Sequence, residues 1–391
     1  MVSENHWVLP QGIEEALPEQ AATLESVRRA ILDMYGSRGY ELVMPPFIDH
    51  IESLLTGAGH DLDLQTFKLI DQVSGRTLGI RADMTPQVAR IDAHNLKREA
   101  PTRLCYIGTV LRTRADSFGG SRSPLQLGAE LYGHSGVASD VEMISLMLET
   151  FDIVGLDDVT IDLGNVDIFR GLAANAKLGA QTESALFELL QSKAVTEIEA
   201  LLGSLAISDS CRSMFAALPR LNGGAEVLLQ AIETLADAGQ EVLAALDYLQ
   251  QVSNRIHSRY PEVKLHFDLA ELTGYHYQTG VVFAAFTPQS GQAIARGGRY
   301  DAIGEVFGRA RAATGFSSDL KLLVQISGRE LPAPQRVFAP ASDDPALQDA
   351  IVRLRAEGII VIEELEGQEA DAASMGCEQT LVNEDGEWHA R

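Results

Sequence analysis

Apolar side chains recur at helical spacing near the start of the chain. Leu24, Val27, Ile31 and Met34 lie three or four positions apart, which predicts a helix over residues 19–38. Short runs of strand character follow, with further helices between them. The predicted strands cover residues 40–44, 66–70, 77–82, 103–115, 124–134 and 158–163, and the predicted helices begin at Thr85 and cover residues 139–153.

The pattern changes at about residue 165. Helical patterns rich in Ala and Leu occupy nearly all of residues 165–258, which we interpret as a helical insertion. Strand character then resumes over 263–286, and a glycine loop at Gly297-Gly298 follows. A helix over 320–325 and a linker containing Pro332 and Pro334 come next. Beyond the linker we predict a strand at 336–339, a helix at 345–357, a strand at 359–363 and a hairpin around Asp385-Gly386.

Several antiparallel strands broken by helices, together with an all-helical insert, predict an α+β fold. We expect this fold to divide the chain into four stretches. They are the first part of a core (1–164), the helical insertion (165–258), the second part of the core (259–328) and a small acidic C-terminal α/β unit (329–391).

Charge narrows the possible functions. The 391 residues include 55 acidic and 31 basic side chains, and the net charge of −24 repels nucleic acids and anionic membranes. The three cysteines are far apart and form no C-x-x-C pair, which indicates free thiols in a reducing compartment. We find no apolar run near the ~18 residues of a membrane span, and Met1–Pro18 has no signal-peptide pattern. We therefore expect a soluble, cytoplasmic protein.

The strand over 124–134 carries the first candidate site residues. Alternation places Gln126, Gly128 and Glu130 on one face and four apolar residues on the other. An amide and a carboxylate around a glycine form a recess that suits an amino group or an imidazolium. A solvated strand face is the alternative interpretation.

Two more pairs of polar residues could complete such a site. Arg112 and Arg114 are two positions apart on a predicted strand, so both would project the same way, as suits a carboxylate or phosphate; surface charge is the alternative. Asp83 and Thr85 lie where a strand meets a helix, and helix capping explains them equally well.

The stretch 274–280 alternates ring-bearing side chains, including Tyr275 and Tyr277. Rings on one face can wall a ligand site, and core packing is the alternative. The glycines at 297–298 are weak indications of a phosphate loop. The sequence contains no H-E-x-x-H, no other metal-ligand spacing and no G-x-S-x-G, so we expect neither a metal nor a cofactor.

Together these segments resemble the catalytic core of histidyl-tRNA synthetase, a class II aminoacyl-tRNA synthetase, over about residues 8–325. The resemblance implies an antiparallel sheet flanked by helices and a dimer formed through the first class II motif. The matching segments are Pro10-x-Gly12, Gly39-Tyr40-Glu41, Arg81-Ala82-Asp83-Met84-Thr85-Pro86, Tyr106-Ile107-Gly108, Arg112, Gln126-Leu127-Gly128-Ala129-Glu130, Tyr277-x-Thr279-Gly280-x-Val282-Phe283 and Gly297-Gly298-Arg299-Tyr300-Asp301.

The sequence departs from the synthetase where ATP is handled. Arg114 replaces the acid of the family's R-x-E, Thr273 replaces the arginine of R-G-L-D-Y-Y, and Leu322 replaces the arginine of G-L-E-R. Fixed cations stabilise the charge that develops during adenylate formation, so we expect aminoacylation to be absent and no residue to be catalytic. Residues 331–391 hold 13 acids and four bases, a poor composition for binding tRNA.

The amino-acid pocket survives, and this combination resembles the regulatory subunits of ATP phosphoribosyltransferase, a synthetase-like family of histidine biosynthesis. The resemblance implies a non-catalytic subunit that joins a short catalytic subunit, is required for its activity and makes it sensitive to histidine. It also implies a homodimer within a hetero-oligomer. The histidine-binding residues implied are Asp83, Thr85, Arg112, Gln126, Glu130, Tyr275 and Tyr277. The alternatives are a diverged histidyl-tRNA synthetase and a synthetase-like module serving another partner.

Overall fold

The fold is taken from a computed structural model of the chain. The structure describes residues 7–56, 60–115, 120–271, 274–275, 277–329, 334–368 and 370–391, with only the backbone described at residues 60 and 61. The chain divides into two compact units, Met1–Arg329 and Glu330–Arg391. None of the described helices has both the length and the apolar character needed to cross a membrane.

Most helices of the first unit lie between residues 137 and 259. The helices of this unit are α1 (Pro18–Ser37), α2 (Ile51–Leu55), α3 (His60–Gln65), α4 (Thr85–Arg90), α5 (Val137–Val154), α6 (Val166–Asn175), α7 (Ala180–Gln191), α8 (Val195–Ser204), α9 (Asp209–Ala217), α10 (Glu226–Thr234), α11 (Gln240–Arg259) and α12 (Leu320–Ser327). A π-helical turn, Ile91–Leu96, continues α4.

The strands of the first unit are short and form two sheets. They are β1 (Glu41–Leu42), β2 (Ile48–His50), β3 (Phe67–Ile70), β4 (Thr77–Ile80), β5 (Thr102–Thr109), β6 (Leu125–Tyr132), β7 (Thr160–Asn165), β8 (Asn222–Gly223), β9 (Lys264–Asp268), β10 (Val281–Phe286), β11 (Ala295–Arg299) and β12 (Ala313–Asp319). In the described part of the chain, the large sheet has the order β1-β5-β6-β12-β11-β10-β7-β9-β8 and the small one β2-β4-β3. The pairs β1–β5 and β7–β9 are parallel, and the other pairs of the large sheet are antiparallel.

The two faces of the large sheet are covered differently, as β6 illustrates. Leu127, Ala129 and Leu131 belong to the main apolar core, which also contains residues of α1, α5, α6 and α11. Tyr132 faces the other way, into a smaller cluster that includes residues of α4. The face that carries Gln126 and Glu130 is therefore the one beneath α4, since side chains alternate along a strand.

The second unit is a small α/β structure with its own core. It contains β13 (Arg336–Ala339), α13 (Pro345–Ala356), β14 (Ile360–Glu363), β15 (Gln379–Glu384) and β16 (Glu387–Ala390), with the sheet order β14-β13-β15-β16. Asp385 and Gly386 have positive φ angles of 53° and 89° and form the predicted hairpin turn between β15 and β16.

Most predicted elements are confirmed within two or three residues, and two are wrong. Gly297 and Gly298 lie inside β11 rather than in a loop. The stretch of strand character over 263–286 contains two strands, β9 and β10, separated by a turn that contains Gly274. The strand predicted over 103–115 ends at Thr109, because beyond it the backbone bonds to other segments: the N–H of Leu111 donates to Arg81 O (3.0 Å) and that of Thr113 to Gln65 O (2.9 Å).

Candidate functional site

Gln126 and Glu130 share one face of β6, as the alternation predicted, and that face is buried. Gln126 is 4% exposed and Glu130 is 1% exposed. The alternative of a solvated strand face is therefore wrong. A buried amide and a buried carboxyl group require hydrogen-bond partners, and both have them.

Gln126 bonds to the segment that precedes α4. Its Nε2 donates to Asp83 Oδ1 (2.7 Å), and its Oε1 accepts from the backbone N–H of Met84 (2.9 Å). Asp83 Oδ1 also accepts from the N–H of Thr85 (2.9 Å), so Asp83 organises the start of the helix and bonds to the strand as well. Asp83 and Thr85 are half-buried, and they form the accessible side of this arrangement.

Three hydroxyl groups surround Glu130. Its Oε1 lies 2.9 Å from the Tyr106 hydroxyl and 3.2 Å from Thr85 Oγ1, and its Oε2 accepts from the Tyr300 hydroxyl. Gly315 of β12 pairs with Glu130 of β6. It has to be glycine because a Cβ there would collide with the carboxyl group of Glu130. We call Asp83, Thr85, Tyr106, Gln126, Glu130 and Tyr300 the Glu130 cluster.

Burial controls the protonation of Glu130. Loss of hydration raises its pKa to about 8, although the bonds from Tyr300, Tyr106 and Thr85 lower it. The carboxyl group is therefore largely protonated near neutral pH and can donate a hydrogen bond as well as accept one. The pKa values of Tyr106 and Tyr300 are raised well above their ordinary value, mainly by burial, so both remain neutral.

Arg112 and Arg114 lie beyond the end of β5, so the strand alternation from which both were predicted to project the same way does not apply to them. Arg112 Nε donates to Ala82 O (3.3 Å), one residue before Asp83, whereas Arg114 is exposed. Arg122 fixes the backbone at Arg112: its Nε donates to Arg112 O (3.1 Å) and its carbonyl accepts from Arg112 N (2.9 Å).

Arg122 also secures the N-terminal segment. Its Nη1 donates to Gln11 O (3.1 Å), its backbone N–H donates to Gly12 O (2.7 Å), and its guanidinium group lies 5.3 Å from the centre of the Phe67 ring. We call these contacts, together with those to Arg112, the Arg122 clasp.

The structure does not bring Tyr275 to the Glu130 cluster. Its ring is 7% exposed, stacks on Phe187 of α7 with 5.0 Å between centroids, and contacts Phe169 of α6 edge-on at 5.3 Å. Tyr277 is 46% exposed. The two rings do not share a face, because Gly274, with a φ of +78°, begins a turn in which strand alternation does not apply. The core-packing interpretation therefore describes Tyr275.

Sequence reasoning missed Gln278. This side chain is 6% exposed, and its Oε1 has no hydrogen-bond partner within the described residues. That oxygen lies 2.6 Å from where a Cβ of Gly298 would be, so the strand must have glycine there. Only the position of Gln278 next to the predicted Tyr277 pointed to it, since no periodic pattern marks a residue in a turn.

The glycines at 297–298, which were only weak indications of a phosphate loop, lie in β11, and the residues after them make structural contacts. Arg299 forms a buried ion pair with Asp140 of α5 (3.0 Å), and Tyr300 enters the Glu130 cluster. A cavity of about 550 Å³ lies between α6 and α11 and is lined by Arg299. It is on the opposite face of β11 from Gly298, since neighbouring strand residues alternate, and so is separate from the Glu130 cluster.

The altered third motif is hydrogen-bonded to residues 123–125 at the start of β6. Lys321, in the altered third motif, donates to Ser123 O (2.9 Å), while Asp319 accepts from the N–H groups of Lys321 and Leu125 (both 3.0 Å) and so begins α12. Thr273 lies outside the described residues. Among the residues described, no three His, Cys, Asp or Glu side chains converge as a metal site would require. The polar groups of the Glu130 cluster are hydrogen-bonded to one another.

Comparison with known proteins identifies two matching family models. The model described as "Histidyl-tRNA synthetase" matches residues 12–323, and the one described as "ATP phosphoribosyltransferase subunit HisZ C-terminal domain" matches residues 334–391. Among similar solved structures, a Bacillus halodurans ATP phosphoribosyltransferase regulatory subunit/histidyl-tRNA synthetase has a TM-score of 0.84 at 28% identity, covering 96% of this chain and 97% of that one. Histidyl-tRNA synthetase from Nostoc sp. shares the fold, with a TM-score of 0.78 at 18% identity, covering 96% of this chain and 91% of that one.

Curated relatives match nearly the whole chain. The ATP phosphoribosyltransferase regulatory subunit of Thioalkalivibrio sulfidiphilus is 59% identical over 385 residues, which cover 98% of each chain. That of Alkalilimnicola ehrlichii is 54% identical over 385 residues, which cover 98% of this chain and 96% of the relative. The chain therefore belongs to the family of ATP phosphoribosyltransferase regulatory subunits, and its first unit has the class II fold of histidyl-tRNA synthetase.

Proposed function

We propose that this chain is the non-catalytic regulatory subunit of an ATP phosphoribosyltransferase, required by a short catalytic subunit, and that histidine bound at the Glu130 cluster inhibits the complex. The observation that supports the ligand site is the Glu130 cluster itself, a buried carboxyl and amide arrangement whose accessible side is Asp83 and Thr85. ATP and the phosphoribosyl donor would bind the partner, so this chain needs no phosphate grip.

The chemistry of the cluster matches the groups of histidine. Asp83, a carboxylate beside the Gln126 amide, would take the amino group, and Arg112 would neutralise the ligand carboxylate. The imidazole would meet Glu130. Thr85 Oγ1 lies farther from Glu130 (3.2 Å) than the Tyr106 hydroxyl does (2.9 Å) and Thr85 is half-buried, so Thr85 is the donor that an imidazole N–H would displace. Tyr277 would close the exposed side, whereas Tyr275 acts elsewhere.

Histidine inhibits the complex only if its affinity differs between the active and the inhibited state of the complex. A typical coupling free energy of about 1–3 kcal/mol changes affinity by roughly 5–150-fold, and the change is reciprocal. If histidine inhibits, the active state of the complex must bind histidine more weakly than the inhibited state does.

Reconstitution tests the proposal. This chain is mixed with a short-form catalytic subunit, and product formation is measured with and without histidine. Activity should require both proteins, and histidine should reduce it. Histidine-dependent ATP–pyrophosphate exchange by this chain alone, or failure to activate the catalytic subunit, would overturn the proposal.

A variant locates the histidine site. Asp83→Asn loses a charge-assisted hydrogen bond worth about 1.5–3 kcal/mol, so histidine affinity should fall roughly 10- to 150-fold while activation remains. Asp33→Asn, an exposed change on α1, is the matched control and should behave as the wild type. Equal histidine affinity in the two variants would exclude the Glu130 cluster as the site.

We further propose a homodimer within the complex, a cytoplasmic location and no tRNA binding. Exposed apolar side chains near the edge strand β1, such as Met44 (78% exposed) and Ile48 (47%), support a dimer contact there. The three cysteines are free thiols, as a reducing compartment allows. The acidic residues 331–391 disfavour tRNA. Sedimentation of the chain alone measures the dimer. Sedimentation with added tRNA measures the tRNA binding.

A further inference from the structure

The turn between β9 and β10 lies between two parts of the first unit: the helices α6 and α7, and the Glu130 cluster. Its described residues are Gly274, Tyr275 and 277–280. The N–H groups of Tyr277 and Gln278 both donate to Gly274 O, at 2.9 and 2.8 Å. A Cβ at Gly274 would lie 2.8 Å from the Tyr277 ring, so this ring folds back over the turn. These contacts tie Tyr277 and Gln278 to Gly274, the residue directly before Tyr275.

One end of the turn is anchored in the helices that follow residue 165. The Tyr275 ring stacks on Phe187 of α7, and its hydroxyl donates to Glu183 on the same helix. From α6, the Arg170 guanidinium group lies 4.7 Å from the ring centre and donates to Tyr275 O at 2.5 Å. Tyr275 is therefore held by aromatic, cation–π and hydrogen-bond contacts to both helices.

The other end of the turn lies beside the Glu130 cluster. Gly298 pairs with Gly315, and Gly315 pairs with Glu130, so the three residues face the same side of the sheet. The Gln278 oxygen lies over Gly298 and the Glu130 carboxyl group over Gly315. Since Cβ atoms of paired residues are about 5 Å apart, the two groups lie within roughly 10 Å. A buried acceptor without a partner in the described structure thus lies within roughly 10 Å of the carboxyl group that the proposed ligand would meet.

We propose that this turn transmits ligand binding from the Glu130 cluster to α6 and α7, with Gln278 contacting the ligand and Tyr275 acting as the positioning residue that anchors the turn. The inference rests on the proposed function, since it assumes that histidine occupies the cluster. A ligand N–H that donates to the Gln278 oxygen shifts the Gln278 side chain, and the turn that carries this side chain is only a few residues long. Because Tyr275 of the same turn is bonded to α6 and α7, a shift of the turn also displaces these helices.

Hydrogen exchange on the reconstituted complex tests the inference, with and without saturating histidine. Histidine should slow amide exchange at least threefold in α7. Tyr275→Leu, which removes the stacking and the hydroxyl, should abolish this slowing of exchange. It should also raise the activity that remains at saturating histidine roughly five- to tenfold. Tyr275→Phe keeps the ring and should restore most of the response. Tyr260→Phe is the matched control, because it removes another tyrosine–glutamate hydrogen bond, to Glu149, and should behave as the wild type.

Calorimetric titration of the same proteins separates the possible failures. Histidine affinity of Tyr275→Leu should stay within about threefold of the wild type, because Tyr275 itself does not contact the ligand. Binding of histidine without any change in α7 exchange would overturn the inference and leave the proposed function intact. A full α7 response in Tyr275→Leu would also overturn it. Absence of histidine binding to the wild-type complex would overturn both.

Discussion

Replacing Glu130 by glutamine should remove the pH dependence that this buried carboxyl group imposes on stability. The pKa of Glu130 is about 8 in the folded chain and 4.5 when the group is hydrated, as in the unfolded chain. Between these values the folded state binds the proton and the unfolded state does not. Stability therefore falls as pH rises, by about 1.4 kcal/mol per pH unit, whereas glutamine does not titrate.

The difference in unfolding free energy between Glu130→Gln and the wild type should thus grow by about 3 kcal/mol from pH 5.5 to pH 7.5, in favour of the variant. The measurement is urea unfolding at each pH, followed by far-UV circular dichroism. Tryptophan fluorescence is unsuitable because the two tryptophans, Trp7 and Trp388, lie in the N-terminal segment and the second unit. A difference that stays constant within about 0.5 kcal/mol would refute the reasoning.

Glu142→Gln is the matched control. Burial tends to raise the pKa of Glu142, but bonds from Arg103 and Tyr40 outweigh it and lower the pKa below its ordinary value. Stability from this group is lost only as pH falls through that lowered pKa, so between pH 5.5 and 7.5 it is ionised in both states. The Glu142→Gln profile should run parallel to that of the wild type in this window.

Three further substitutions or reagents probe the same unit. Gly315→Ala places a methyl group against Glu130 and should lower stability by about 1–3 kcal/mol and abolish histidine binding, as thermal unfolding and calorimetry will measure. Asp140→Leu leaves the buried Arg299 with Asp301 (3.1 Å) as its remaining carboxylate partner and should cost up to about 3–5 kcal/mol in urea unfolding; a cost below about 1 kcal/mol would contradict the assignment of a structural ion pair. The Cys105 thiol is buried, which raises its pKa to about 12, so it should resist iodoacetamide in the native chain and react after unfolding, as mass spectrometry will show.

Sequence periodicity located the strand half of the candidate site correctly, because a strand with one apolar face has only one possible side for Gln126 and Glu130. Periodicity gave no information about what lies opposite. Tyr300 reaches Glu130 only through the pairing of β11 with β12 and of β12 with β6, which brings together residues 170 positions apart. Such tertiary partners depend on strand order, which no local pattern encodes.

The errors have local physical causes. Glycines at 297–298 are typical of a loop, yet here they permit close packing in a strand: a Cβ at Gly298 would meet the Gln278 oxygen. Alternation grouped Tyr275 with Tyr277, but the positive φ of Gly274 turns the chain and sends Tyr275 into the helices. In both cases the glycine allows a nearby side chain to take its position, and that side chain comes close only in the folded chain.

The Arg122 clasp has a practical consequence for anyone who produces this protein. Two of the carbonyls that Arg122 binds belong to Gln11 and Gly12, so a version trimmed to begin at the first helix would release this arginine from the N-terminal segment. The backbone at Arg112, which the same side chain holds, would then lose part of its support. Shortened versions should therefore be judged by ligand affinity as well as by yield.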